Sequence, residues 1–320
     1  MGLLETPLAA GVGSWSPRAP MPTPRTGHVA KAALSAEGEW ILYIFGGHDW
    51  EDGDAALSTV EAYNVATDSW TTKTASPYER AKMNGIGRIG HRLYLPGGGF
   101  ETGNGFERWA GLMVYDTRQD RWIQKADMPQ ASSEGVTGVI AGKLYVLTGM
   151  DNVYEDDVPC SDCPGSPTQY TRQLFRYDPA NNTWTRRRSS PHFHVGGAAG
   201  VIGGKFYVAG GYGAGGATRR LDIYDPVTNQ WSSGADMPEP RGGITGAVVG
   251  GRLFVIGGDV MAYDPVTNRW TAKAPVPTIL GGSAADKVFL DGRPRILTVG
   301  GTGGIGAELE AHTALEMYTP

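Results

Sequence analysis

Side chains able to move a proton or hold an anion gather at five short stretches of this 320-residue chain. They are Arg25 with His28, Glu79 with Arg80, Ser132-Ser133-Glu134, His192 with His194, and Arg241, each shortly before an apolar run. Carboxylates and imidazoles are the usual proton-transfer groups near neutral pH. Glu79, Glu134, His192 and His194 are therefore the candidates for acid–base catalysis. Guanidinium groups grip anions through paired N–H donors, so Arg25, Arg80 and Arg241 are candidates for holding an anionic or polyhydroxylated ligand. Arginines in such places also serve structure by bonding loop carbonyls, and both readings stand at this level. His192 and His194 are two apart and share one face of a strand. With a carboxylate they would suit a metal, but no third ligand can be named. No cofactor is expected, and a divalent metal lacks support.

These stretches need a scaffold, and the chain repeats one. In Tyr224-Asp225-Pro226-Val227-Thr228-Asn229-Gln230-Trp231 a tyrosine ends an apolar run, a polar turn follows, and a tryptophan comes seven positions on. The same spacing joins Tyr63 to Trp70, Tyr115 to Trp122, Tyr177 to Trp184 and Tyr263 to Trp270. Before most of these tyrosines lies an apolar strand ending in two glycines, as in Lys205-Phe206-Tyr207-Val208-Ala209-Gly210-Gly211. The third unit has Thr148-Gly149 instead, so one glycine of the doublet is missing. A period of roughly 40–60 residues points to a propeller or solenoid. The 48 glycines and the 19% charged residues fit many short strands joined by tight turns.

The doublet, the Tyr-Asp-Pro turn and the tryptophan resemble the Kelch repeat family, over nearly the whole chain from Trp15 to Tyr318. The resemblance implies an all-β fold: a six-bladed Kelch β-propeller with four antiparallel strands per blade around a central channel. Residues 1–320 would form one propeller domain. Tyr318 has no tryptophan after it, and Trp15 has no tyrosine before it. Trp15 is therefore expected to open the outer strand of blade six, closing the ring. Kelch propellers of this size that resemble the chain include sialic acid mutarotases, called N-acetylneuraminate epimerases.

In such a propeller the loops from second to third strand share a face with the lead-ins to the innermost strands. These loops vary, and variable loops on a fixed scaffold carry binding residues. They hold His48 in blade one, Arg108 and Trp109 in blade two, Tyr154 in blade three and Tyr212 in blade four. Together with Arg25, His28, Arg80, Ser133 and Arg241 these are the expected ligand-binding residues at the channel mouth. The leading expectation is a polar or anionic small molecule bound there, with acid–base isomerase or epimerase chemistry. The rival is a protein partner anchored on Trp50, Phe100, Phe106, Trp109 and Tyr154. An adaptor is expected to need a second domain, and the propeller is expected to fill these 320 residues.

Other features point nowhere specific. A net charge of −5 gives no reason to expect nucleic acid. No apolar run approaches a membrane span, and the N-terminus lacks a secretory signal, so a cytoplasmic location is expected. Cys160 and Cys163 are too few for a disulfide framework or a complete zinc site. The acidic runs Asp49 to Asp54 and Asp151 to Asp157 lack the spacing of a calcium loop. Gly301 to Gly306 matches the dinucleotide fingerprint by letter but falls in a blade loop, where that fingerprint has no meaning.

Overall fold

The computed structural model describes residues 12–49, 55–102, 105–151, 169–278, 281–303 and 310–320. Six four-stranded antiparallel sheets are arranged as the blades of a ring, and no helix occurs among the described residues. Blade one contains Val29–Leu34, Trp40–Phe45, Val60–Asn64 and Ser69–Lys73, from the channel outward. The next four blades repeat that order, with innermost strands Gly87–Ile89, Val136–Ile140, Ala198–Ile202 and Thr245–Val249. Blade six uses Ala284–Leu290, Arg293–Val299 and Leu315–Thr319, and its outermost strand is Ser14–Pro17. Trp15 lies opposite Tyr318 in that pairing. The ring is closed by joining the two ends of the chain, as the unpaired tyrosine and tryptophan predict.

The repeated tyrosine-to-tryptophan stretch latches each blade to the one before it. The six tyrosines are buried. Tyr63, Tyr115, Tyr177, Tyr224 and Tyr263 each donate a hydroxyl hydrogen bond of 2.6–2.7 Å to the Asp or Asn five residues on. Those residues, Asp68, Asp120, Asn182, Asn229 and Asn268, have φ between 47° and 56°, a left-handed conformation that Asp and Asn tolerate best after glycine. The same carboxylate or amide oxygen accepts the backbone N–H of Ala19, Thr74, Ala126, Arg188 or Ala235, each just beyond the outer strand of the preceding blade. The tryptophan then donates its indole N–H to the carbonyl of that same residue, at 2.7–3.0 Å. At the closing seam Trp15 binds the Ala274 carbonyl at 2.8 Å, and the Val12 carbonyl stands in for the Asx side chain.

The glycine doublet makes the second seam. Its second member donates a backbone N–H to the next blade's lead-in: Gly47 to Arg80, Gly98 to Ser132, Gly211 to Arg241 and Gly301 to Arg25. A Cβ on Gly46 would run into the Arg80 carbonyl, so this close approach requires glycine. Apolar clusters fill the spaces between sheets; Leu42 and Ile44 of blade one pack with Val288 and Leu297 of blade six. Five of the second-to-third connections begin as short hairpins, such as Gly99–Thr102 with Gly105–Arg108. Blade five has none, because Asp259 opens its third strand directly.

Candidate functional site

Each lead-in places one residue in the left-handed region immediately at the channel. These six are Gly27, Lys82, Glu134, Gly196, Gly243 and Gly282, with φ between 52° and 64°. Their backbones form a circle of hydrogen bonds, one across every seam. Lys82 N–H binds Gly27 O, Glu134 N–H binds Lys82 O and Gly196 N–H binds Glu134 O, all at 2.8 Å. Ile244 N–H binds Gly196 O at 3.0 Å, Gly282 N–H binds Gly243 O at 3.2 Å, and Gly27 N–H returns to Gly282 O at 3.3 Å. The circle sits at one end of a cavity of about 410 Å³ lined by all six blades, a volume in the range of small-molecule sites.

Four of the six positions are glycine, which adopts this conformation freely. Lys82 and Glu134 adopt it at a cost of about 1 kcal/mol each. Both residues line the cavity. The Lys82 ammonium lies 4.9 Å from the centre of the Phe106 ring, and the Arg108 guanidinium lies 5.4 Å from the same ring. Arg108 donates to Ser133 Oγ at 3.0 Å. Burial lowers the Arg108 pKa against the opposing pull of Glu134, Asp151 and Glu101. His48, buried and lining the cavity, places its ring 6.4 Å from Phe106. Phe106, Arg108 and Ser133 lie off the cavity wall, and they bring a cation and an aromatic surface next to Lys82, with Glu134, Asp151 and Glu101 acting on Arg108.

The other expected site residues have different destinations. In blades one, two, four and five the residue two before the left-handed position turns back into its own blade. Arg25 is fully buried, donates to Gly46 O at 2.9 Å and pairs with Glu61 at 2.7 Å. Arg80 donates to Gly97 O at 3.0 Å and lies 4.9 Å from the Trp109 ring centre; burial lowers its pKa to about 10. His194 takes the same place in blade four, with Nδ1 2.7 Å from Gly210 O and Nε2 3.0 Å from Asp222. His192 Nδ1 lies 2.9 Å from the same Asp222 oxygen. Burial pushes the Asp222 carboxyl up, and the two imidazoles outweigh it, so the net shift is downward. Arg241 binds both oxygens of Asp259.

The expected convergence of Arg25, Arg80, Arg241, His192 and His194 on the channel is therefore corrected. These side chains cap glycine carbonyls or meet carboxylates within or beside their blades, and none lines the cavity. Glu79 is exposed and also lies off the cavity wall. Trp109 packs against Tyr78, with ring centres 4.9 Å apart. Tyr212 is exposed, and its ring covers Gly242. His28 lines the cavity but binds Val299 O at 3.0 Å and is strongly depressed in pKa by its burial. Tyr154, Trp50, both cysteines, Gly304 to Gly306 and most of the two acidic runs lie outside the described residues. Among the described residues no group of three His, Cys, Asp or Glu forms a metal site, and no helix is long and apolar enough to cross a membrane.

Lys82 and Lys31 are cavity residues that the sequence reading passed over. For Lys82 a signal existed. Aligning Arg25-Thr26-Gly27, Arg80-Ala81-Lys82 and Arg241-Gly242-Gly243 shows a lysine where its neighbours have glycine. Lys31 pairs with Asp286 at 3.0 Å, and Asp286 also accepts the Ala32 N–H, fixing blade one to blade six inside the channel.

Sequence comparison agrees with this architecture. The Kelch motif model matches residues 41–74 and 195–238. Kelch-like protein 25 of Xenopus tropicalis is 29% identical over 212 residues, covering 62% of this chain and 30% of that protein. Kelch-like protein 36 of Mus musculus is 29% identical over 154 residues, 48% of this chain and 23% of that protein. Alpha-scruin of Limulus polyphemus is 26% identical over 159 residues and is matched over 15% of its length. The chain thus spans less than a third of each of these relatives. The solved structure of YjhT superposes with a TM-score of 0.73 at 17% identity, covering 92% of this chain and 95% of that one. The chain is a six-bladed propeller that carries Kelch motifs at residues 41–74 and 195–238.

Proposed function

We propose that this propeller binds a small anionic, polyhydroxylated molecule at the channel mouth, with a sugar acid as the first class to test. The observation that carries the reading is the placement of Lys82 and Glu134. They are the two side-chain-bearing members of a ring otherwise built of glycine, held in a strained conformation at the cavity wall. Strain kept at a cavity wall is a pointer to function. Lys82 and Arg108 supply positive charge for the ligand's acid group, and Glu134 is the proton-transfer group on the same wall. The resemblance to sialic acid mutarotases makes interconversion of sugar-acid isomers the chemistry to examine.

Calorimetric titration and NMR exchange measurements with a panel of sugar acids test this. Lys82→Gly should weaken binding at least tenfold while leaving stability within about 1 kcal/mol of the parent, because relief of strain and added chain entropy nearly offset. Glu134→Gln should retain binding and lose isomer exchange. Unchanged affinity in Lys82→Gly sinks the site.

Exposed Tyr78, Phe100 and Tyr212 support a second reading, in which this face docks a protein. A Tyr78→Ser, Phe100→Ser double variant separates the two: it lies off the cavity wall and should leave sugar-acid binding intact.

A further inference from the structure

At position 280 the sequence has leucine where two sister blades have a basic residue. Glu61, Asp222 and Glu316 stand two residues before Tyr63, Tyr224 and Tyr318, so they occupy one structural position. In blades one and four a basic residue two before the left-handed glycine reaches that carboxylate: Arg25 to Glu61 at 2.7 Å, His194 to Asp222 at 3.0 Å. In blade six the residue two before Gly282 is Leu280, which lies outside the described residues. Glu316 is nevertheless only 4% exposed. Thr278 donates to its Oε1, while Oε2 has no hydrogen-bond partner.

A second feature meets the first. Thr298 lies directly opposite Glu316 across the sheet, is fully buried, and has an Oγ1 without a partner. The matching positions in blades one and four are Ile44 and Val208. Blade six thus has leucine at the basic position and a buried hydroxyl on the residue paired with Glu316. An unneutralised buried carboxylate costs several kcal/mol, and hard cations take oxygen ligands.

We propose that Glu316 Oε2 and Thr298 Oγ1 bind a small monovalent cation, sodium, potassium or ammonium, in place of the missing side chain. One carboxylate matches one positive charge, as Arg25 does for Glu61; a divalent ion would leave a buried net charge. Thermal melts of the full chain at constant ionic strength test this, with chlorides of sodium, potassium and ammonium against tetramethylammonium, which is too large to enter. At least one small cation should raise Tm by about 2 °C at tenfold saturation. Glu316→Gln and Thr298→Val should each lose that response. Leu280→Arg, which supplies the residue type that blade one has at this position, should melt at the same temperature in every salt. Identical melting of the parent in all four chlorides overturns the proposal, as does an undiminished response in Thr298→Val or one confined to calcium or magnesium.

Discussion

Removal of residues 1–20 should abolish cooperative unfolding of the propeller, whereas the equivalent local damage elsewhere should only lower its Tm. The deleted segment contains the whole outer strand of blade six, including Trp15, whose ring centre lies 5.0 Å from that of Tyr318. It also contains Val12, whose carbonyl accepts both the Tyr318 hydroxyl and the Ala274 N–H. Deletion leaves Leu315–Thr319 as an unpaired edge and opens the seam between blades five and six. Each blade buries its faces only against its neighbours, so stability depends on closure, and the new edge favours aggregation. Trp231→Ala removes one latch from an intact ring and should cost about 2–4 kcal/mol. Trp15→Ala should cost at least as much. Calorimetry with a peptide of residues 12–20 supplied in trans gives the control: the peptide should restore a concentration-dependent transition. A truncated chain that melts cooperatively within a few degrees of the parent would show that the seam holds without its strand.

That seam was legible because its signals are local and strongly typed. A tyrosine, a left-handed Asx and a tryptophan at fixed spacing require one geometry, and the unmatched Tyr318 and Trp15 point to each other from opposite ends. The doublet glycines were legible for the same reason, since only glycine permits the contact between Gly46 and Arg80. The candidate site was harder to read. In each lead-in, a shift of two residues along a left-handed turn decides whether a side chain enters the channel or its own blade. Arg25 and Lys82 have equal charge and similar reach, yet Arg25 caps a glycine carbonyl and Lys82 lines the cavity. Charge and residue type do not encode that phase. Aligning the lead-ins on their left-handed residue does.

The same phase explains why His192 and His194, expected at the channel mouth, lie against Asp222 of their own blade. A basic residue at the Arg25 position faces a glycine carbonyl and, where the third strand offers one, a carboxylate. His194 and Asp222 reproduce Arg25 and Glu61 with an imidazole. A His–Asp pair with this role resembles catalytic machinery in its residue types alone. Its position in the blade identifies it as the local form of a repeated cap, and leaves Glu134 as the one expected acid–base carboxylate on the cavity wall.

Stability should fall as pH drops below about 6.5, and His28 should account for most of the loss. Its ring is fully buried, and burial together with the nearby Arg25 charge lowers its pKa from the ordinary 6.5 to about 3; the bond to Val299 O opposes this only in part. In the unfolded chain His28 takes up a proton near pH 6.5, while in the fold it stays neutral down to about pH 3. The unfolded state thus binds more protons throughout that window, so its stability rises relative to the native state as pH falls. The slope is about 1.4 kcal/mol per pH unit, and the loss reaches roughly 3 kcal/mol at pH 4.5. Stability from His28 is complete above pH 6.5. Asp222 adds its own loss at lower pH, where the carboxyl that the two imidazoles hold down becomes protonated. Denaturant titrations of the parent and His28→Gln at pH 7.5, 6, 5 and 4.5 separate the contributions. The variant should start less stable at neutral pH and lose much less between pH 6 and 4.5. Parallel pH profiles for the two proteins would place the acid sensitivity elsewhere in the ring.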